Sequence, residues 1–304
     1  MEKFDIHILG CGSALPTLRH NASSQIVNVR EKLFMIDCGE GTQVHLRRSR
    51  LRFNRLNHLF ISHLHGDHCF GLMGLISTFG MLERTAQLHI HAHPELERIL
   101  KPQLAFFCNG LPFDVVFHPI DPAKREIIYD DRSASVETIP LKHRMPTCGF
   151  LFREKPTANH IRRDMIDCYE IPLYMINRIK NGEDYVTADG KVIPNEKLTF
   201  PADPPRSYAY CSDTVYLPRI TEQIEEVDLL FHEATFGEDN AARARKTQHS
   251  TAAQAARIAL EAKVKRLVIG HFSARYEDEK VLLEEAKAIF PHTMLANENL
   301  TISI

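Results

Sequence analysis

The chain has 304 residues, 44% of them hydrophobic and 25% charged, with a formal net charge of −2. This is globular composition, large enough to bury a core without disulfide support, and it excludes a global basic field for nucleic acid, leaving only local patches. Seven cysteines, an odd number with no Cys-x-x-Cys pair, read as reduced thiols. The start, MEKFDIHILG, lacks a signal-peptide apolar core, and the most apolar run, Gly71 to Leu82, is too short to cross a bilayer. A cytoplasmic protein with no membrane partner is the expectation.

Phe4, Ile6 and Ile8 alternate with polar residues, so the chain opens as a strand and turns at Gly10-Cys11-Gly12-Ser13. That Gly-x-Gly lacks the third glycine of a dinucleotide fingerprint. Ser24 to Val29 and Lys32 to Ile36 form a hairpin that ends in Asp37-Cys38-Gly39-Glu40-Gly41-Thr42-Gln43, a glycine turn leading into a helix. Leu72, Leu75, Phe79 and Leu82 recur at helical spacing. Leu88 to Ala92 is a strand, and Pro94 to Phe106 a helix with Pro at its start. Phe113 to Leu141 is mostly β. Thr251 to Ala262 is an Ala-rich helix capped by Ser250 or Thr251, Arg266 to Gly270 a buried strand, and Glu277 to Phe290 a last helix. The polar, Pro-containing stretch 154–205 breaks this pattern and reads as an inserted arm.

Ser62-His63-Leu64-His65-Gly66-Asp67-His68 packs three histidines and an aspartate into seven residues. Three more candidate ligands sit just past apolar or alternating runs: His143, Asp213 and His271. A lone His there is usually a polar strand cap, but this many together with a dense His/Asp loop favour a metal site. Zinc prefers imidazole nitrogen and carboxylate oxygen, and two metals about 3.5–4 Å apart can clamp both oxygens of a phosphodiester displacement. A carboxylate can bridge two metals and an imidazole cannot, which makes Asp213 the natural bridge.

The spacing His63-x-His65-x-Asp67-His68, followed by His143, Asp213 and His271, resembles the metallo-β-lactamase superfamily of binuclear metal hydrolases. Further stretches are similar to its ribonuclease Z branch, the tRNA 3′-processing endonucleases. They are Pro16-Thr17-x-Arg19-His20-Asn21-Ala22-Ser23-Ser24, the Asp37 turn, Pro140-Leu141-Lys142-His143-Arg144, Ser212-Asp213-Thr214, His232-Glu233-Ala234-Thr235-Phe236, His249-Ser250-Thr251 and Gly270-His271-Phe272-Ser273-x-Arg275-Tyr276. The resemblance implies a four-layer αββα sandwich with a protruding arm, two zinc ions per chain, precursor tRNA as substrate and a homodimer. It assigns one metal to His63, His65 and His143 and the other to Asp67, His68 and His271, with Asp213 between them. It also makes Asp67 the proton acceptor. The Gly-Pro-rich element of the family's bacterial arm is absent here.

Other roles rest on residue chemistry. His249 is a proton-donor candidate with Glu233 as its carboxylate partner, against the plain reading of a surface His near a helix cap. Arg275 suits a phosphate clamp, against a structural salt bridge, and Asp37 suits support of a ligand His, against a turn role. Arg47, Arg48, Arg50, Arg52 and Arg55 have no acidic residue among them and lead into the metal loop, so they are candidate phosphate contacts; the plain reading is a solvated helix face. Arg162, Arg163, Arg178 and Lys180 are the arm's cations. A small-molecule or cyclic phosphodiesterase, a thioester hydrolase and a non-catalytic tRNA-binding module remain the alternatives.

Overall fold

The computed structural model describes residues 2–15 and 17–304; Pro16, in the first ribonuclease Z-like stretch, lies outside the described residues. The chain forms two compact units, Glu2–Arg153 with Arg206–Ile304, and Glu154–Pro205.

The larger unit is built on two seven-stranded sheets. In the first, the order is Thr301–Ser303, Phe4–Gly10, Ser24–Val29, Lys32–Ile36, Leu56–Phe60, Leu88–Ala92, Val115–Pro119. It is antiparallel up to Lys32–Ile36 and parallel beyond. In the second, Thr293–Leu295, Leu267–Gly270, Leu229–Glu233 and Ser207–Cys211 run parallel, followed by Cys148–Glu154, Ala134–Pro140 and Ile127–Asp130.

The period of two along each strand sorts side chains into layers. Val27, Val29, Phe34, Ile36 and Phe60 point into the space between the sheets, where they join Val136, Phe150, Phe152, Tyr208 and Leu229. Their neighbours Ile26, Leu33, Met35, Leu59 and Ile61 point outward and pack beneath helices Leu72–Met81 and Glu95–Phe107. Helices Ala252–Glu261 and Lys280–Lys287 cover the second sheet. The layers are therefore αββα, and a strand buried on both faces reads as a continuous apolar run.

The helices run close to their expected bounds, the last one excepted. Helix Glu95–Phe107 continues through Pro102, which cannot bond back to the carbonyl four residues earlier; burial of Leu100 and Leu104 on either side holds it together. The last helix covers only Lys280–Lys287, because Glu277 and Asp278 remain in the preceding turn. The Ala-rich helix starts after Thr251, whose hydroxyl accepts from Gln254 N while the Gln254 side chain accepts from Thr251 N, a reciprocal cap.

The smaller unit has its own core of Ile171, Ile179, Tyr185, Ile193 and Leu198. Helices Arg163–Cys168, Leu173–Lys180 and Asn195–Leu198 surround it, with the pairs His160–Ile161/Thr199–Phe200 and Tyr185–Val186/Val192–Ile193. These elements are too short to show a periodicity in sequence.

Candidate metal centre

The expected ligands converge because strand ends converge. The adjacent parallel strands Ser207–Cys211, Leu229–Glu233 and Leu267–Gly270 end in register, which brings Asp213, Glu233 and His271 to one edge. Lys32–Ile36 and Leu56–Phe60, parallel in the other sheet, deliver Asp37 and the His63 loop. Asp37, Asp213 and His271 adopt left-handed backbone, with φ of 56°, 53° and 61°. Each such residue costs about 1–3 kcal/mol and persists only where the surroundings enforce it. A Cβ on Gly39 would meet Asp67 O at 2.4 Å, so glycine there lets the Asp37 turn press against the His68 helix.

Ligand atoms of His63, His65, His143 and Asp213 lie within 4.8 Å of one another, and so do those of Asp67, His68 and His271. Asp213 stands between the two groups: its Oδ2 is 3.5 Å from His63 and 3.6 Å from His143, its Oδ1 3.2 Å from His68 and 3.0 Å from His271. Asp67 Oδ2 lies 3.5 Å from both His68 and His271, and accepts from Ala14 N at 2.7 Å.

The outer nitrogens determine what the inner ones can do. His68 Nδ1 donates to Asp37 Oδ2 at 2.7 Å, and His143 Nδ1 to the Gln248 carbonyl at 2.8 Å. His271 Nδ1 meets the Thr235 hydroxyl at 3.0 Å, and His63 Nδ1 meets the Ser62 hydroxyl at 3.0 Å. With Nδ1 carrying the proton, each Nε2 presents a lone pair inward, beside two carboxylates. His143 Nε2 is buried and has no hydrogen-bond partner. His68 Nε2 faces His271 Nε2 at 3.3 Å, and His63 Nε2 faces His65 Nδ1 at 2.9 Å. A centre of acceptors without donors requires positive charge, and an imidazole and carboxylate set suits zinc-class cations. The residues fit the metals that the family resemblance implies.

The electrostatics show how strongly the buried carboxylates draw positive charge to this edge. Burial opposes charge on His68, but Asp213, Asp37 and Asp67 raise its pKa well above the ordinary range. Burial opposes the Asp213 carboxylate too, yet His271, His68 and His63 hold its pKa well below the usual value. His65 is pushed down to about 4 by burial and by His63.

A cavity of about 440 Å³ opens onto this centre, lined by His65, Asp67, His143, Asp213, His249 and His271 among others. His249 Nδ1 lies 2.8 Å from Glu233 Oε1. Glu233 is fully buried and also accepts from Thr214 N at 2.8 Å and the Thr235 hydroxyl at 2.5 Å. Burial opposes the His249 charge, but Glu233 pushes its pKa up to about 9.

Phocaeicola vulgatus has a protein named ribonuclease Z that is 70% identical over 304 residues, 100% of this chain and 98% of that one. The ribonuclease Z of Bacteroides fragilis is 67% identical, with 100% of both chains covered. The chain belongs to the ribonuclease Z family. Its first half, residues 4–161, also belongs to the family described as Anti-Pycsar protein Apyc1, whose model matches there and stops before Asp213. Among solved structures, human tRNase Z, short form, superposes with a TM-score of 0.71 at 25% identity, covering 99% of each chain. The metallo-beta-lactamase fold protein YhfI from Bacillus subtilis shares the fold, with a TM-score of 0.69 at 16% identity and full coverage of both chains.

Not every candidate reaches the cavity. Arg275 is exposed and does not line it. Arg144 and Phe70 do, and neither stands out for the site in the sequence. The signal for Arg144 is its place directly after His143 in the Pro140–Arg144 motif; Phe70, 73% exposed, reads like any helical apolar residue. Arg47 and Arg48 end helix Thr42–Arg48 and Arg50 lies in the turn beyond, all three exposed. The arginine run is thus not one helix face, and Arg55 is paired with Glu31 at 2.7 Å. Within the smaller unit Arg162 pairs with Asp164 at 3.0 Å and Arg178 with Glu183 at 2.7 Å, while Arg163 is exposed and Lys180 half-buried.

Proposed function

We propose that this ribonuclease Z family member is a zinc-dependent endoribonuclease that removes the 3′ trailer from precursor tRNA, leaving a tRNA 3′-hydroxyl and a 5′-phosphorylated trailer. The observation that carries the reading is the inward-facing set of imidazole lone pairs and carboxylates around Asp213, in a chain 70% identical to a ribonuclease Z. His63, His65 and His143 would hold one ion, Asp67, His68 and His271 a second, with Asp213 reaching both. Bound there, two such ions supply Lewis-acid polarisation of the phosphoryl oxygens and a water of lowered pKa.

The chain's own residues do the rest. Asp67, 3.5 Å from both His68 and His271, would orient the attacking water and accept its proton. His249, kept protonated by Glu233, donates to the departing 3′ oxygen. Arg144 at the cavity wall offers a guanidinium to the scissile phosphate, and Arg47, Arg48 and Arg50 offer further phosphate contacts, with Arg275 a more distant candidate. Unit 154–205 is read as the substrate arm, with Arg162, Arg163, Arg178 and Lys180 as its cations. A homodimer is expected from the family resemblance. The seven unpaired cysteines support a reducing, cytoplasmic setting, and among the described residues no helix is long and apolar enough to cross a membrane.

The deciding experiment incubates purified protein with a 3′-extended precursor tRNA and maps the cut. Cleavage after the discriminator nucleotide, with phosphate on the trailer, is expected; an intact precursor at full metal loading would overturn the proposal.

A further inference from the structure

A second group of metal-capable side chains lies outside the hydrolytic centre. Cys11 follows strand Phe4–Gly10, His20 lies in the next loop, and Glu298 comes from the far end of the chain. Their ligand atoms fall within 4.8 Å of one another. Cys11 Sγ is 3.4 Å from His20 Nδ1 and 3.7 Å from Glu298 Oε1, and His20 Nδ1 is 2.9 Å from Glu298 Oε2. Bonds of about 2.0–2.3 Å around a tetrahedral ion place ligand atoms about 3.3–3.8 Å apart. Both sulfur distances fall in that range, and a small rotation of the carboxylate opens the third.

Hydrogen bonding prepares the donors. His20 Nε2 faces Glu279 Oε1 at 3.2 Å, the carboxylate–imidazole contact that directs the other nitrogen's lone pair toward a metal. Asn21 N donates to Glu298 Oε1 at 2.8 Å and anchors that carboxylate. Cys11 is 1% exposed, and the His20 and Glu298 side chains 11% each. A cleft of about 130 Å³ lined by Thr17, Arg19, His20, Phe272 and Glu279 opens the outer side of the His20 ring.

We propose that Cys11, His20 and Glu298 form a third metal site, separate from the hydrolytic centre, that takes one zinc-class divalent cation with water as its fourth ligand. Sulfur, imidazole and carboxylate together suit zinc. On loading, the Cys11 thiol gives its proton to solvent and the sulfur–metal bond forms, with no change of oxidation state. The site has a structural consequence. Phe272 N donates to the Cys11 carbonyl and Ser13 N to the Phe272 carbonyl, both at 3.0 Å, so the loop that follows His271 is tied to Cys11. Ala14, three residues past Cys11, donates to Asp67. An ion here braces the loops that carry one ligand and orient another. The competing arrangement is metal-free: the His20 ring hydrogen-bonded between Glu279 and Glu298, with the thiol donating to Glu298.

Cobalt distinguishes the two. The hydrolytic centre offers only His and Asp ligands, so a thiolate-to-cobalt charge-transfer band must come from cysteine. Chelator-stripped full-length protein is reloaded with Co²⁺ alone, and its spectrum and metal content are measured. The wild type should show the band and a third equivalent of cobalt. Cys11→Ser should lose the band and one equivalent while keeping the other two. Glu298→Gln, which retains the thiol, should release this ion at least about tenfold more readily to a competing chelator. A wild type without the band, a band that survives Cys11→Ser, or unchanged retention in Glu298→Gln would overturn the proposal. A total of one equivalent with the band present would instead count against the hydrolytic centre and leave this site standing.

Discussion

Glu233 and His249 meet at 2.8 Å although they lie 16 residues apart and on different elements. The same carboxylate accepts from the Thr235 hydroxyl, which in turn meets His271 Nδ1. One buried carboxylate therefore orients both an expected metal ligand and the expected proton donor.

This relationship predicts how the acid step fails. His249→Ala should slow precursor cleavage roughly a hundredfold or more with metal content unchanged, as loss of a general acid does. A substrate whose bridging 3′ oxygen is replaced by sulfur has a leaving group that needs little protonation. Comparable slowing on both substrates would show that His249 does something other than donate a proton.

Asp37 holds His68 at 2.7 Å while accepting from Ser62 and from the Tyr210 hydroxyl. Asp37→Asn should weaken metal retention about 10- to 100-fold, as removing a ligand's outer partner commonly does. His143→Ala should lower the metal count itself. Chelator competition and elemental analysis measure the two effects, and wild-type values in both variants would disprove the assignments.

A histidine tetrad away from the metal centre should make stability pH-dependent. His58 stacks on His89 at 4.6 Å and His91 on His118 at 4.4 Å, with His58 Nδ1 3.2 Å from His91 Nε2. Burial, reinforced by His89 and His118, pushes His58 down to about 4; burial and the three neighbouring imidazoles push His91 lower still. Asp131 and Lys32 face His58 with opposing effects, and Arg84 acts on His89. Unfolded histidines titrate near 6.5, so below that pH the unfolded chain binds protons that the folded chain refuses. Stability should fall as the pH drops from about 6.5 toward 4, by about 1.4 kcal/mol per pH unit for the buried His91 alone. Urea midpoints at about pH 7.5 and about pH 5, for wild type and His91→Phe, isolate this contribution from that of the metal ligands. Equal slopes in the two proteins would refute it.

Unit 154–205, with a core of its own, can be removed as a test. Replacing 155–204 by a short Gly-Ser linker should abolish precursor tRNA cleavage, since binding remote from the reacting phosphate positions a large substrate. Hydrolysis of a small chromogenic phosphodiester, if the wild type performs it, should survive at matched metal content. Equal loss of both would mean that the segment supports the metal centre and is no substrate arm.

Neutralising two of Arg47, Arg48 and Arg50 should weaken tRNA binding and flatten its salt dependence, by a slope of about one for each phosphate left without its arginine. An unchanged slope would leave them as solvated surface charges.

The candidate His/Asp cluster was legible in the chain because its signals are local. Asp67 and three histidines crowd one loop, and His143, Asp213 and His271 each end an apolar or alternating run. The apolar runs themselves announced strands buried on both faces, and the Ala-rich stretch after Thr251 announced its capped helix. What no local pattern carries is the register between distant strands. Only the parallel alignment of Ser207–Cys211, Leu229–Glu233 and Leu267–Gly270 puts Glu233 beside His249 and Asp213 between the two ligand groups. The same long-range packing brought Arg144 and Phe70 to the cavity wall, left Arg275 outside it, and closed Cys11, His20 and Glu298 together. In unit 154–205 helices of four to eight residues and two-residue strand pairs are too brief for periodicity to emerge, so its core became visible only once Ile171, Ile179, Tyr185, Ile193 and Leu198 met. Side-chain type and spacing are written along the chain, whereas the pairing of groups far apart in sequence depends on how sheets register and pack, and that is settled by the whole fold at once.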